Sequence, residues 1–184
     1  FGESHEQELA KKVETLPKNI EWHFIGHLQT NKVKYIAPYI AMVEAVDSLK
    51  LLKEINKQAA KHDRVVKVLL ELHIAEEETK YGLTLDACRQ LLEEGEWREL
   101  KNVQICGLMM MASHIDDEAQ IASEFDTAAQ FFDELGYEPR LPDSSAARFH
   151  HGKSGNHHLR TKSLLIKKGD FAFAKSPLIL SLRI

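Results

Sequence analysis

The feature that most constrains the fold is the alternation of apolar, strand-forming runs with capped amphipathic helices. Residues 65–74 read VVKVLLELHI, rich in β-branched and leucine side chains and long enough for a buried strand. Thr84 then stands as an N-cap before a helix that buries Leu85, Cys88, Leu91 and Leu92. Residues 103–111, VQICGLMMM, form the next strand. A further helix follows, with Ile121, Phe125, Ala128, Phe132 and Leu135 on one face and Gly136 as its C-cap.

The same rhythm runs upstream. Leu9, Val13 and Leu16 make an apolar stripe on a first helix that Pro17 helps to stop. Residues 22–25 form a short strand and residues 31–39 a short helix interrupted at Pro38. Residues 40–46 form another strand, and Ser48 caps the helix carrying Leu52, Ile55 and Ala59. Strands alternating with helices of these lengths predict a parallel sheet with helices outside it. The strands lack strict polar alternation, as expected where both faces are covered. Pattern alone leaves a closed barrel and an open doubly wound sheet both standing. No GxGxxG fingerprint is present, which weighs against a dinucleotide-binding sheet.

Composition excludes several classes. No run of about 18 apolar residues is long enough to span a bilayer, so no membrane partner is expected. No signal peptide is expected at the start. The two cysteines, Cys88 and Cys106, sit in apolar contexts and suit buried thiols in a reducing cytoplasm. The net charge of −4 hides an asymmetry: residues 148–184 hold eight basic side chains against Asp170 alone. A basic end can mark a nucleic-acid partner, but no interleaved aromatic residues accompany it, and none is expected.

The segment WHFIGHLQTNK, residues 22–32, carries a strand into a glycine-containing polar turn and then a helix. Ligands of α/β proteins bind at such carboxyl ends of strands. Together with FGES at residues 1–4, Val46-Asp47-Ser48, LLELHIAEEETKYG at 69–82 and ICGLMMMA at 105–112, this segment resembles the pyridoxal phosphate homeostasis protein family. These are barrels of the alanine racemase N-terminal type. The resemblance is strong over residues 1–137. It implies a (β/α)8 TIM barrel of the PLP-binding type, incomplete in this chain, as a single domain over residues 1–184 with a divergent segment at 138–184. It also implies pyridoxal 5'-phosphate (PLP) as cofactor, held as an internal aldimine, and a role in intracellular PLP homeostasis without robust catalysis.

Two departures from the family pattern shape the expectation. The family's aldimine lysine lies on a first strand upstream of FGE, and this chain opens at Phe1. Gly152-Lys153-Ser154-Gly155-Asn156 resembles an altered form of the family's GMS segment, and Gly169-Asp170-Phe171 stands in place of its glycine-serine-threonine turn. PLP binding by the chain as given is therefore expected to be weak or lacking. With two barrel elements missing, exposed strand edges favour oligomerisation, whereas the intact family-like form is expected to be a monomer.

PLP needs a neutral amine, donors for its phosphate, and a wall with a partner for its ring. The cofactor-binding candidates are Ser4, His23, Gly26, Asp47, Ser48, Met109 and Ser154. Ser4 stands where the family has Asn. His23 and His27 flank a strand end, and His23 reads equally as a satisfied core histidine. Gly26 permits close backbone approach to a ligand or to Leu28. Asp47 and Ser48 lie at the rim, although Ser48 is also an ordinary helix cap. Met109 offers a soft apolar wall, or simply core. Ser154 is the candidate phosphate contact that the resemblance implies. Lys32 and Lys80 fall inside the strong segments without matching the aldimine lysine. HHGKS lacks the spacing of a phosphate loop, and the paired histidines of 150–158 lack a carboxylate or cysteine set. Neither a catalytic residue nor a metal site is expected. The alternatives are a fold-type III racemase-like enzyme or a barrel that binds nothing.

Overall fold

A computed structural model describes residues 1–74, 81–113 and 117–136, together with the backbone of 179–183. The elements run β1 (Gly2–Glu3), α1 (Glu6–Thr15), β2 (His23–Phe24), α2 (Val33–Ile36), β3 (Met42–Val46), α3 (Leu49–Ala60), β4 (Val66–Leu72), α4 (Leu85–Glu94), β5 (Val103–Met111), α5 (Glu118–Glu134) and β6 (Ile179–Arg183). Short 3-10 turns precede α2 at Thr30–Lys32 and follow α4 at Glu96–Glu99.

The strands form one sheet in chain order, β1 to β6. All neighbours from β1 to β5 are parallel, each pair joined through a helix, while β6 lies antiparallel on β5. The run of parallel strands is the one the sequence predicts for a barrel. The antiparallel β6 departs from a (β/α)8 plan, in which every strand is parallel. Register shifts between Val43 and Val46, and between Val68 and Leu70, each insert an extra residue that bends the sheet.

The sheet has two different faces because side chains alternate along each strand. Phe24, Val43, Val46, Val68, Leu70, Leu72, Leu108 and Met110 pack outward, in one buried core with Leu9 of α1, Leu51, Leu52 and Ile55 of α3, Cys88 and Leu91 of α4, and Phe131 of α5. Each fully buried leucine or isoleucine there contributes roughly 1.5–3 kcal/mol over exposure. A second, smaller cluster holds Met42, Ala45, Leu69 and Met109, with Cys106 and Met111 beside it. That cluster marks the inner face of the sheet.

The helices begin where the sequence supplies caps. Ser48 Oγ accepts from Leu51 N–H at 3.3 Å, and Thr84 Oγ1 accepts from Ala87 N–H at 3.2 Å. Asp117 Oδ1 accepts from Ala119 and Gln120 N–H at the start of α5. Neither cysteine is in a disulfide: Cys88 of α4 packs into the helix-covered core, and Cys106 of β5 lies beside the inner cluster. Burial pushes the Cys88 thiol up to about 12, so it serves as a small apolar core group.

Candidate functional site

The inner face gathers acidic and imidazole side chains toward the carboxyl ends of β2, β3 and β4. On β2, His23 Nδ1 lies 2.6 Å from Glu44 Oε1 on β3, donating to a carboxylate that is itself buried. One step past β3, Asp47 Oδ1 accepts from Ser48 Oγ at 3.0 Å, and Asp47 Oδ2 lies 3.4 Å from His27 Nδ1. The His27 ring stacks on Tyr81, with centroids 3.6 Å apart and planes 14° apart. This stack joins the turn after β2 to the chain that returns after β4.

That return is fastened by backbone. Leu83 N–H donates to Glu71 O at 2.7 Å, and His73 N–H donates to Leu83 O at 2.8 Å. Gly82 has φ of 126°, and a Cβ there would fall 2.8 Å from His73 N and 2.9 Å from the Leu72 carbonyl carbon. Only glycine fits so close to the strand in that conformation.

Glu71 sits beneath this cover. Val46 pairs with Leu70 and Glu71 pairs with Met109, so the following step of β3 sets Asp47 beside Glu71. Glu71 is 2% exposed, and its Oε2 has no hydrogen-bond partner. Burial first, and the Asp47 charge second, push its carboxyl from 4.5 up to about 7. A buried acceptor left without a donor is uncommon in folded proteins and points to a group received from outside the chain. Beside it, Leu69, Met42, Ala45 and Met109 make an apolar wall. An acceptor beside an apolar wall is what a flat ring bearing an N–H donor needs.

The residues singled out from sequence divide accordingly. His23, Asp47 and Met109 share the inner face or its rim with Glu71. Ser48 uses its hydroxyl as the α3 cap, donating to Asp47 and accepting from Leu51. Ser4 lies in the turn after β1, its Oγ 3.1 Å from His5 Nδ1. Gly26 does permit a close approach, but the partner is Ser4: a Cβ on Gly26 would fall 2.4 Å from Ser4 O. The expected partners, a ligand or Leu28, are replaced by a contact between the turns after β1 and β2. Of the three methionines, Met109 and Met110 are fully buried on opposite faces and Met111 is half-buried. Lys32 Nζ pairs with Glu6 at 2.8 Å. That hydrogen bond raises its pKa, so it stays a charged surface group and not a free amine. Ser154 and Lys80 fall outside the described residues, as do the histidines of 150–158.

Glu71 was missed from sequence. Its signal was a lone acid inside the otherwise apolar run LLELHI, at inward-facing parity with Leu69.

The sequence pattern of the alanine racemase N-terminal domain matches residues 1–161. The chain belongs to the alanine racemase N-terminal domain family. Within it, the chain is 37% identical over 153 residues to the pyridoxal phosphate homeostasis protein of Aquifex aeolicus, covering 82% of this chain and 66% of that relative. It is 33% identical over 141 residues to that of Helicobacter pylori strain J99, covering 73% of this chain and 61% of the relative. The chain thus spans less than two thirds of the length of these relatives. Among solved structures it resembles PipY of Synechococcus elongatus with PLP bound, with a TM-score of 0.64 and 29% identity over 73% of this chain and 62% of that one. It also resembles a protein of unknown function from Bifidobacterium adolescentis, with a TM-score of 0.66 and 28% identity over 73% of this chain and 58% of that one. With the parallel order of β1 to β5, these likenesses give the architecture as that of a (β/α)8-type PLP-binding barrel.

Proposed function

We propose that this protein serves PLP homeostasis and binds pyridoxal 5'-phosphate, weakly in the chain as given, on the inner face of its sheet without turning over a substrate. The observation that carries this reading is the unpartnered, buried Glu71 carboxylate beside an apolar wall at the carboxyl ends of parallel strands. It occurs in a chain 29% identical to a structure that holds PLP. Leu69 and Met109 would line the ring's side of the site, while Glu71, with Asp47 beside it, would receive the single N–H of the ring. His23, held by Glu44, and His27, stacked on Tyr81, fix the rim. Ser154 is the proposed phosphate contact and Ser4 a proposed cofactor contact, with Gly26 and Ser48 shaping the turns that carry the site. When bound, PLP supplies an aldehyde that condenses with amines; the chain's part is to position and shelter it.

The proposed compartment is the cytoplasm, supported by two cysteines that form no disulfide, with the intact protein a monomer. Among the described residues no helix is long and apolar enough to cross a membrane.

The test is a PLP titration followed by borohydride reduction and peptide mass spectrometry. A saturable absorbance change with one stoichiometric lysine adduct supports the reading and names the lysine. Labelling scattered over many surface lysines, with no saturation, refutes it.

A further inference from the structure

The carboxyl end of β4 is covered by backbone from outside the sheet. Pairing with β3 ends at Val46, opposite Leu70, while β5 continues along the other edge to Leu72. Leu83 takes the edge that β3 leaves, through a single parallel bridge to Leu72. Two hydrogen bonds hold that bridge, Leu83 N–H to Glu71 O and His73 N–H to Leu83 O. Gly82 turns the chain where no other residue fits, and Tyr81 adds its stack on His27. β3 and β5 are joined to β4 over longer ladders. Residues 81–83 are thus the weakest fastening around Glu71.

Beneath this strap lies a carboxyl that suits the closed arrangement only when protonated. Glu71 is buried and its Oε2 has no partner. Asp47 beside it is an acid, and Met109, its partner on β5, is apolar. The other titratable groups of the inner face are Glu44, held by His23, Lys67 and His73 on β4, and Cys106 on β5. Lys67 is exposed at the opposite end of the strand. His27 faces Asp47 from the turn after β2, and Tyr81 faces His27 from the strap. An ionised Glu71 would stand against apolar side chains and a second carboxylate, a placement that only water relieves. Lifting the strap breaks two backbone hydrogen bonds and one ring contact, whereas parting β3 or β5 from β4 breaks the sheet.

We propose that residues 81–83 form a proton-controlled latch: with Glu71 protonated the strap lies closed on β4, and loss of that proton lifts it while the sheet stays folded. The latch acts in the ligand-free chain and stands apart from the cofactor reading. The acidity of the surroundings then governs how far the carboxyl ends of β3 and β4 are uncovered.

Glu71 titrates at about 7 under the closed strap and at the ordinary 4.5 once solvated. The open form therefore gains on the closed form as pH rises from 4.5 to 7, and the ratio levels off above 7, where both forms are ionised. Between pH 5 and pH 7 the open-to-closed ratio rises roughly fortyfold.

Amide hydrogen exchange followed by NMR reads the latch at Leu83 and His73, whose N–H groups fasten it. Three results are expected of the ligand-free chain. Both amides are protected about tenfold less, or weaker still, than those of Val66–Leu70 at every pH. Low urea, which speeds exchange through global unfolding, leaves them unchanged. Corrected for the intrinsic pH dependence of exchange, their protection falls by roughly the factor above from pH 5 to pH 7. Histidine side chains change charge in the same range, so the deciding comparison is with Glu71→Gln, in which the fall should vanish. Tyr81→Ala should lower protection at both amides at every pH and keep the fall. If Glu71→Gln fails to fold by circular dichroism, Asp47→Asn takes its place, and removing the adjacent charge should end the fall at a lower pH. Protection equal to that of the sheet, a flat wild-type profile, the same fall in Glu71→Gln, or an unmoved profile in Asp47→Asn overturns the proposal.

Discussion

At the scale of the residue, one buried acid sets the pH response of the fold. Glu71 titrates near 4.5 when unfolded and about 7 in the folded chain. Between those values the folded state binds the extra proton. Its stabilising contribution is complete below the unfolded value and is lost as pH rises through 7. A shift of that size corresponds to a few kcal/mol, on the order of 3. Urea denaturation at pH 5 and pH 8 should show the ligand-free protein weaker at the higher pH. Glu71→Gln should flatten the difference and be the more stable of the two at pH 8. A wild-type profile that rises across this range contradicts the assignment. Gly26 gives a second residue-scale expectation. A methyl group 2.4 Å from Ser4 O must push the turns after β1 and β2 apart. Gly26→Ala should lower stability by roughly 1–3 kcal/mol, seen as a reduced melting temperature. The requirement for glycine here was legible in the sequence, but its partner was not, because Ser4 is 22 residues away and meets it only across the sheet.

At the scale of the element, legibility followed the locality of the signal. The starts of α3 and α4 were read from Ser48 and Thr84, since a cap acts over three residues of chain. β5 was read to its ends from its continuous apolar run. The segment at 31–39 was read as one short helix, but it folds as a 3-10 turn followed by the single turn of α2. What ends α2 is remote: Arg64 donates from Nη1 to Ala37 O and from Nη2 to Ile40 O, both at 2.8 Å. Asn102 Nδ2 in turn donates to Arg64 O at 2.7 Å, and Asn102 N–H donates to Asn56 Oδ1. No local pattern announces a guanidinium that closes carbonyls more than 20 residues away. Arg64→Ala should therefore cost roughly 2 kcal/mol through the loss of two charged hydrogen bonds. The loss should appear as faster amide exchange over 36–42, and an unchanged rate there would assign Arg64 to the surface alone.

At the scale of the whole molecule, the sheet sets a gradient of stability. β3, β4 and β5 are paired on both sides, and β4 is buried along almost its full length. β1 and β2 contribute two residues each. Among the described residues β1 has a strand partner only in β2, and β6 only in β5. The parallel order was legible because each strand is followed by a recognisable helix; the apolar runs around Gly169 and Pro177 left two strands or a strand and a loose end both standing, and the antiparallel direction of β6 was not legible because the polar stretch 141–163 has no periodicity to say how the chain returns. Opening an edge strand exposes few apolar contacts, whereas opening β4 exposes both the helix-packed core and the inner cluster. Hydrogen exchange read by mass spectrometry should therefore show slowest exchange at Val66–Leu72 and Val103–Met111, faster exchange at Met42–Val46, and fastest at Gly2–Glu3. Because the inner face closes over Glu71 from β3, β4 and the Tyr81–His27 stack, PLP should slow exchange around 47 and 81–83 more than at β1. Equal slowing across the sheet would mean that the ligand stabilises the fold globally, without seating on the carboxyl ends of β3 and β4.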